Sequence, residues 1–234
     1  MHECMNAKLN PYIPEKFSEI VDGGPLFFTP KNICPQPVGH FVPNYDAAIN
    51  RGFAAIRAEA LEKMAELEDA GFMHDDAEKY SFYQAVSIVC EGMITFAKRY
   101  SAACAEKAAQ TEDPARRAEL ERLSRTLDHI MEHPARTFRE AIQALWLYQL
   151  CILMDANMHG TSVGRVDQYL GDFAERDIAS GEITREEAQE LNDLYYLNIA
   201  AMNKIWSART VYSAPGYTSG QLITLGGIDA DGND

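Results

Sequence analysis

The chain has 234 residues, of which 47% are hydrophobic, and its formal net charge at pH 7 is -14. This length corresponds to one large domain or two small ones, and the composition is sufficient for a substantial buried core. Nucleic acids and anionic membrane surfaces are bound mainly through Lys and Arg, and here 21 basic residues face 35 acidic ones. The charge balance therefore argues against both classes of partner and favours small molecules or proteins.

Cysteine usage and hydropathy indicate a cytoplasmic protein. No two cysteines form a C-x-x-C pair, and the five are scattered at Cys4, Cys34, Cys90, Cys104 and Cys151. The N-terminus lacks the basic and apolar regions of a signal peptide, and the longest nearly apolar run, Ala144 to Met154, is too short to cross a bilayer. We therefore expect no disulfide framework, no zinc ribbon and no membrane partner.

The first 43 residues are rich in proline. Seven prolines lie there, at Pro11, Pro14, Pro25, Pro30, Pro35, Pro37 and Pro43. Proline fixes φ and lacks a backbone N–H, so this composition predicts an extended, looping segment rather than helices. We expect residues 1–43 to pack on a domain formed by residues 44–234.

Three long helices are predicted in the first half of that domain. Apolar residues recur every three or four positions from Asn44 to Gly71, which predicts the first helix. The second is predicted from about Lys79 to Ala109, with an apolar face formed by Phe82, Val86, Val89, Cys90, Met93, Ile94, Ala97 and Tyr100. Asp113 as N-cap and Pro114 as first residue open a charged third helix, which His133 and Pro134 should end.

Two capping boxes predict helices in the second half. The first box, Thr137-x-x-Glu140, precedes "FREAIQALWLYQLCILMDAN", which is apolar almost all round and should be the central, most buried helix. Another helix fits Val163 to Ile178. The second box, Thr184-x-x-Glu187, opens a last helix that continues to Trp206.

The end of the chain differs in kind from the rest. Glycines bracket "QLITL", which has the composition of a strand, and Asp231-Gly232 is a turn signal with no second strand after it. The residues alone thus predict a mainly helical domain with one strand that lacks parallel neighbours.

One short motif matches a metal site. His129, Glu132 and His133 have the H-x-x-E-H spacing of one metalloprotease class. Pro134 follows at once, so the second histidine would lie at a fraying helix end. We interpret the motif as a solvated helix terminus and expect no metal.

The central helix ends in a cluster of polar residues. Asp155, Asn157 and His159 follow an apolar run, and Asp155 and His159 would share a face if the helix continued. Buried polar groups need partners, which a bound ligand can supply. A polar layer satisfied within the protein is the alternative, and the residues alone leave both interpretations open.

Several stretches, in order, resemble segments of the glycyl radical enzymes, the family that includes pyruvate formate-lyase and several dehydratases. They are "GHFVPNYDAAINRGFAAI", "AVSIVCEGMITFAKRYSAACAEKAA", "HPARTFREAIQALWLYQL", "NMHGTSVGRVDQYL" and "GQLITLGGIDADGND". The resemblance runs from about Asn32 to the last residue and is closer to the diol dehydratase and choline lyase branch.

The resemblance implies a partial chain. Family members form a ten-stranded α/β barrel with helices outside, and residues 44–234 would hold outer helices and the first strand. The G-C-x-E loop of the thiyl cysteine and the R-V-x-G-Y loop of the radical glycine do not occur here. We therefore expect no catalytic radical residue in this chain, no activity from it alone, and either a split enzyme or a piece of a longer one.

The resemblance also assigns roles to residues. Its substrate-contacting positions fall on Asn32, His40, Asn157 and His159. Its other matching positions, to which we assign a structural role, are Arg165, Asp167 and Gln168.

The function implied is that of an anaerobic lyase or dehydratase that cleaves a C–O, C–N or C–C bond of a small polar substrate. No cofactor is expected to bind this chain; a radical S-adenosylmethionine activating enzyme would install the glycyl radical in the full-length protein. Other implied partners are the remainder of the barrel and a second copy in a homodimer. The alternative is a non-enzymatic helical binding module or degenerate remnant, and the two missing loops in neighbouring coding sequence would distinguish these hypotheses.

Overall fold

The computed structural model describes residues 41–155, 160–202 and 222–227, and these are mostly helical, as predicted. The elements in chain order are α1 (Tyr45–Ala70), α2 (Asp76–Ala109), α3 (Pro114–His129), α4 (Phe138–Asp155), β1 (Gly164–Arg165), α5 (Val166–Ser180), α6 (Arg185–Ala201) and β2 (Ile223–Thr224). Among the described residues, no helix combines the length and apolar composition needed to cross a membrane.

Capping side chains fix the starts of three helices where the sequence predicts them. The Asn44 side chain accepts a hydrogen bond from the Ala47 amide at the start of α1, and Asp113 does the same for α3. Thr184 and Glu187 form a complete reciprocal capping box at the start of α6.

Helix α1 is kinked at Gly52, which the sequence pattern does not reveal. Gly52 has φ +73°, and the amide of the next residue, Phe53, donates to the carbonyl of Met131 at 2.7 Å. A Cβ on Gly52 would lie 2.5 Å from the carbonyl oxygen of Glu132. The kink therefore lets the loop after α3 pack directly on the backbone of α1.

The face that α2 buries differs from the predicted one. Phe82, Val89 and Tyr100 were expected in the core but are 63%, 53% and 50% exposed. The buried residues of α2 are Ser87, Cys90, Ala97, Ser101 and Ala108. These small side chains allow α2 to pack closely on α1 and α3, so bulk alone does not identify the face that makes contact.

Helix α3 ends at His129, four residues earlier than predicted. Ile130 is extended, with ψ 162°, and Met131 has φ +69°. His129 and His133 therefore do not share a continuous helix, and the H-x-x-E-H spacing loses its helical geometry.

Helix α4 is the central helix, as predicted, and packs on α1, α5 and α6. Its buried residues are Phe138, Glu140, Ala141, Ile142, Ala144, Leu145, Leu147, Gln149 and Leu153. The predicted capping box forms only in part. The amide of Glu140 donates to the Thr137 hydroxyl at 3.2 Å, but the Glu140 carboxylate accepts from the Arg136 amide at 2.8 Å instead of from Thr137.

The predicted strand is not unpaired, which corrects the expectation from sequence. β2 pairs with β1 in parallel, with Gly164 opposite Ile223 and Arg165 opposite Thr224. It is therefore the second strand of a pair. The helix predicted from Val163 begins three residues later, at Val166, because the preceding residues pair with β2.

Several predictions lie outside the described residues. These are the extended conformation of residues 1–40, the path of the chain from Asn203 to Gln221, and the turn at Asp231.

Candidate functional site

A buried chain of hydrogen bonds connects α1, α4 and the segment before β1. The Tyr45 hydroxyl donates to Oε1 of Gln149, and Nε2 of Gln149 donates to the carbonyl of Thr161 at 3.0 Å. Gln149 and Thr161 are both 0% exposed. The amide is thereby oriented, with its oxygen towards α1 and its nitrogen towards the backbone at Thr161.

Backbone pairing holds the segment after residue 159 from both sides. Phe41 and Thr161 form a parallel bridge, and the Ser162 amide donates to the Phe41 carbonyl at 3.1 Å. The next amide, that of Val163, donates to the Leu222 carbonyl at 3.1 Å. Since adjacent amides of an extended segment point to opposite edges, residue 41 and β2 flank this segment on opposite sides.

The four predicted substrate-contacting residues, Asn32, His40, Asn157 and His159, lie outside the described residues. Their anchoring points are nevertheless described. His40 is bonded to Phe41, and His159 is two residues before Thr161. The bridge between Phe41 and Thr161 therefore joins the two histidine-bearing segments at positions next to the histidines.

Arg165 and Asp167 connect the start of α5 to the turn after β2. Oδ2 of Asp167 accepts from the Arg165 guanidinium at 3.3 Å and from the Gly226 amide at 3.2 Å. Desolvation acts to raise the pKa of Asp167, but the hydrogen bonds from Arg165 and Gly226 outweigh it and hold this pKa below its usual range. The Arg165 guanidinium also lies beside Gly227, 3.4 Å from where a Cβ would stand. These contacts support the predicted structural role.

A cleft of about 280 Å³ opens between the start of α1 and the β1–α5 junction. Its lining residues are Val42, Pro43, Asn44, Tyr45, Asp46, Val163, Arg165, Gln168 and Tyr169. Gln168, the third residue of the predicted structural set, is exposed at this cleft. The cleft is therefore next to the Phe41–Thr161 bridge in both of the chain segments that form it.

Packed tyrosines form the floor of this region. Tyr45 lies 5.1 Å from Tyr148 and 6.1 Å from Tyr169 between ring centroids, and the Tyr169 hydroxyl donates to the Val163 carbonyl at 2.9 Å. Burial raises the pKa of Tyr45, and burial also raises the pKa of Tyr169, so both phenols stay neutral and act as hydrogen-bond donors.

The sequence analysis missed Tyr45, Gln149 and Tyr169. Gln149 had a detectable signal, because it is the one amide in the apolar run "ALWLYQLCILM". A buried amide in such a run needs partners, so its presence indicates a specific polar contact. Tyr45 and Tyr169 had no such signal, since tyrosines at helical spacing are also usual core residues.

The thiols of the described core are unreactive in character, as expected. Cys90 is 3% exposed, and burial raises its pKa. Burial raises the pKa of Cys151 to about 11. Both are neutral thiols at neutral pH, because a nucleophilic cysteine needs a lowered pKa.

Comparison with known proteins identifies relatives across nearly the whole chain. The family model described as "Pyruvate formate lyase-like" matches residues 2–234. An isethionate sulfite-lyase of Nitratidesulfovibrio vulgaris is 38% identical over 197 residues, which cover 83% of this chain and 24% of that protein. The trans-4-hydroxy-L-proline dehydratase of Clostridioides difficile is 30% identical over 202 residues, 84% of this chain and 25% of that protein.

Solved structures agree with these relatives. The glycerol-bound form of the B12-independent glycerol dehydratase from Clostridium butyricum has a TM-score of 0.84 and 30% identity, over 96% of this chain and 28% of that one. A glycyl radical enzyme from Archaeoglobus fulgidus has a TM-score of 0.76 and 34% identity, over 84% of this chain and 25% of that one.

The chain thus spans about a quarter of the length of the relatives it matches. The family model covers it almost completely, and both the curated relatives and the solved structures include glycyl radical lyases or dehydratases. The chain belongs to the pyruvate formate lyase-like family of glycyl radical enzymes.

Proposed function

We propose that this chain forms part of the substrate pocket of a glycyl radical lyase or dehydratase that acts on a small polar molecule. The observation that carries the proposal is the parallel bridge between Phe41 and Thr161, because it joins the segments of His40 and His159. In this proposal Asn32 and Asn157 line the same pocket, and the outer helices and the β1–β2 pair belong to the barrel of the complete enzyme.

The two histidines suit a substrate that carries hydroxyl groups. An imidazole has an ordinary pKa near 6.5, so at neutral pH it can either donate or accept a proton. A placed acid or base contributes typically about 10²- to 10⁴-fold to a rate. We assign to His159 the transfer of a proton to or from the substrate, and to His40 the orientation of a second polar group.

The buried contacts described above would hold these histidines in position. Gln149 binds the carbonyl of Thr161, and the backbone of residue 41 binds Ser162. A catalytic side chain contributes fully only when its backbone is fixed, since a misplacement of about 1 Å can cost about 10² in rate. The pairing of segments 41 and 161–163 is thus the positioning element of the proposed pocket.

The glycyl radical requires residues that this sequence does not contain. Neither the G-C-x-E motif nor the R-V-x-G-Y motif occurs among the 234 residues. We therefore assign no radical step to this chain. Another stretch of polypeptide would carry both radical positions, and a radical S-adenosylmethionine activating enzyme would be its partner.

The names of the relatives support the substrate class. They include a sulfite-lyase of isethionate, a dehydratase of trans-4-hydroxy-L-proline and a dehydratase of (2S)-3-sulfopropanediol. Sulfite release breaks a C–S bond, which is an addition to the bond types expected from sequence. We propose a small, polar, hydroxylated substrate and a lyase reaction on it.

The test is the substitution of His159 in the complete enzyme that contains this segment. His159→Ala should lower turnover by about 100-fold or more and leave the melting temperature nearly unchanged. His133→Ala is the matched control, because His133 is an exposed histidine outside the pocket, and it should leave turnover unchanged. Early melting of His159→Ala with normal turnover of the folded fraction would show a core residue instead and contradict the proposal.

A further inference from the structure

The outer face of α2 carries large apolar side chains that remain exposed. Phe82, Val89 and Tyr100 are 63%, 53% and 50% exposed. Phe96 is half-buried and contacts Tyr100 edge-to-face, with 4.9 Å between ring centroids. At 1.5 Å per residue, the face from Phe82 to Ala103 is about 32 Å long. An exposed apolar surface of this extent is typical of an interaction site.

This face has its own seven-residue repeat, which we call the outer stripe. Its members are Phe82, Ala85, Val89, Gly92, Phe96, Arg99 and Ala103. A repeat of this spacing over three heptads is the pattern by which one helix packs along another. The stripe is separate from the buried face of α2, which packs on α1 and α3.

Gly92 lies at the middle of the outer stripe. It is exposed, and no atom lies within 4 Å of the position that a Cβ would take. A glycine in the interior of a helix lowers its stability relative to alanine. Packing within the described chain gives no reason for this glycine, whereas close approach of a second helix at this point does.

We propose that α2 packs antiparallel on α2 of a second copy of the chain, about a twofold axis beside Gly92 and Met93. In such an interface every contact occurs twice. This register places a large side chain opposite a small one at each level. The pairs are Phe82 with Ala103, Ala85 with Tyr100, Val89 with Phe96, and Gly92 with Met93.

Charges at the two ends of α2 agree with the same register. Lys79 lies opposite Glu106, and Glu78 lies opposite Lys107, and all four side chains belong to exposed residues. A parallel arrangement would place each of these charges opposite its own copy and would repel. This self-complementarity favours a second copy over another part of a longer polypeptide as the occupant of the stripe.

The first test is sedimentation of the 234-residue chain over a range of concentrations. We expect a dimer whose Kd rises about 100-fold in Gly92→Gln, because each copy inserts one side chain at the axis. Gly171→Gln in α5 is the matched control, since Gly171 also has no atom within 4 Å of its Cβ position. It should leave Kd unchanged, and circular dichroism should show the same helix content in both variants.

The second test exchanges the end charges. Lys79→Glu and Glu106→Lys should each weaken the homodimer, because like charges then face each other at both ends. An equimolar mixture of the two variants should restore association, since every end pair is again of opposite sign. A monomeric wild-type chain, a dimer indifferent to Gly92→Gln, or a mixture no more associated than its components would each overturn the proposal.

Discussion

Gln149 shows at the scale of one residue how the core of this chain serves its candidate site. It is 0% exposed on the most apolar helix, yet it accepts from Tyr45 and donates to the carbonyl of Thr161. A fully buried amide is retained at a cost in desolvation unless its hydrogen bonds are made. Here they fix the backbone that leads from His159 into β1.

Replacing Gln149 should therefore destabilise the fold through its partners. Gln149→Leu keeps the volume but leaves the Tyr45 hydroxyl and the Thr161 carbonyl buried without this partner, which should cost about 1–3 kcal/mol. Tyr45→Phe is the control that removes only one bond. In urea denaturation the double variant should lose less than the sum of the two single losses. Strictly additive losses would show that the two side chains are not coupled.

Asp167 makes the β1–α5 junction sensitive to acid. Because the pKa of this carboxyl is lower in the folded chain, its contribution to stability is present above its ordinary pKa and is lost as pH falls through the folded pKa. Asp167→Asn should thus be less stable than wild type at pH 7, and the difference should shrink below about pH 4. Thermal melts across pH 3–7 measure it, and a difference independent of pH would contradict the assignment.

At the scale of elements, Gly52 allows α1 and the loop after α3 to touch. Both a positive φ and a close backbone contact act there, whereas Gly71 at the end of α1 has φ +72° and open space around its Cβ position. Gly71→Ala should cost only the conformational penalty, about 1 kcal/mol. Gly52→Ala should cost about 1–3 kcal/mol more, since the loop must move away from the new methyl group. Equal melting temperatures for the two variants would show that the contact carries no energy.

These elements also show how far sequence reasoning reaches. Helix starts at Asn44, Asp113 and Thr184 were predictable, because a cap is a local contact between residues two or three positions apart. The kink at Gly52 and the pairing of β1 with β2 were not, since both depend on residues that are distant in sequence. The buried face of α2 was misassigned because its contacts use small residues.

The candidate site divides in the same way. Motifs alone identified the histidine-bearing segments and the Arg165 and Asp167 positions, because those residue types occur in a recognisable order. The Gln149 contact and the bridge between Phe41 and Thr161 required coordinates. The four substrate-contacting assignments stay predictions, since they fall outside the described residues.

At the scale of the whole molecule, the chain is a family member that spans about a quarter of its relatives' length. Because its sequence contains neither radical motif, the 234-residue chain incubated with a family activating enzyme and S-adenosylmethionine should give no glycyl EPR doublet. The complete enzyme treated in parallel should give one. A doublet from the 234-residue chain would show that a residue within it carries the radical.

The central claim is that His40 and His159 face one substrate, and a double-mutant cycle on kcat/KM of the complete enzyme tests it most directly. His40→Ala and His159→Ala should each lower kcat/KM, and the double variant should lose at least about fivefold less than the product of the two losses, because the residues share one substrate. Pairing His159→Ala with His133→Ala should show no coupling. Losses that simply multiply for His40 and His159, or full activity of either variant, would contradict a shared pocket.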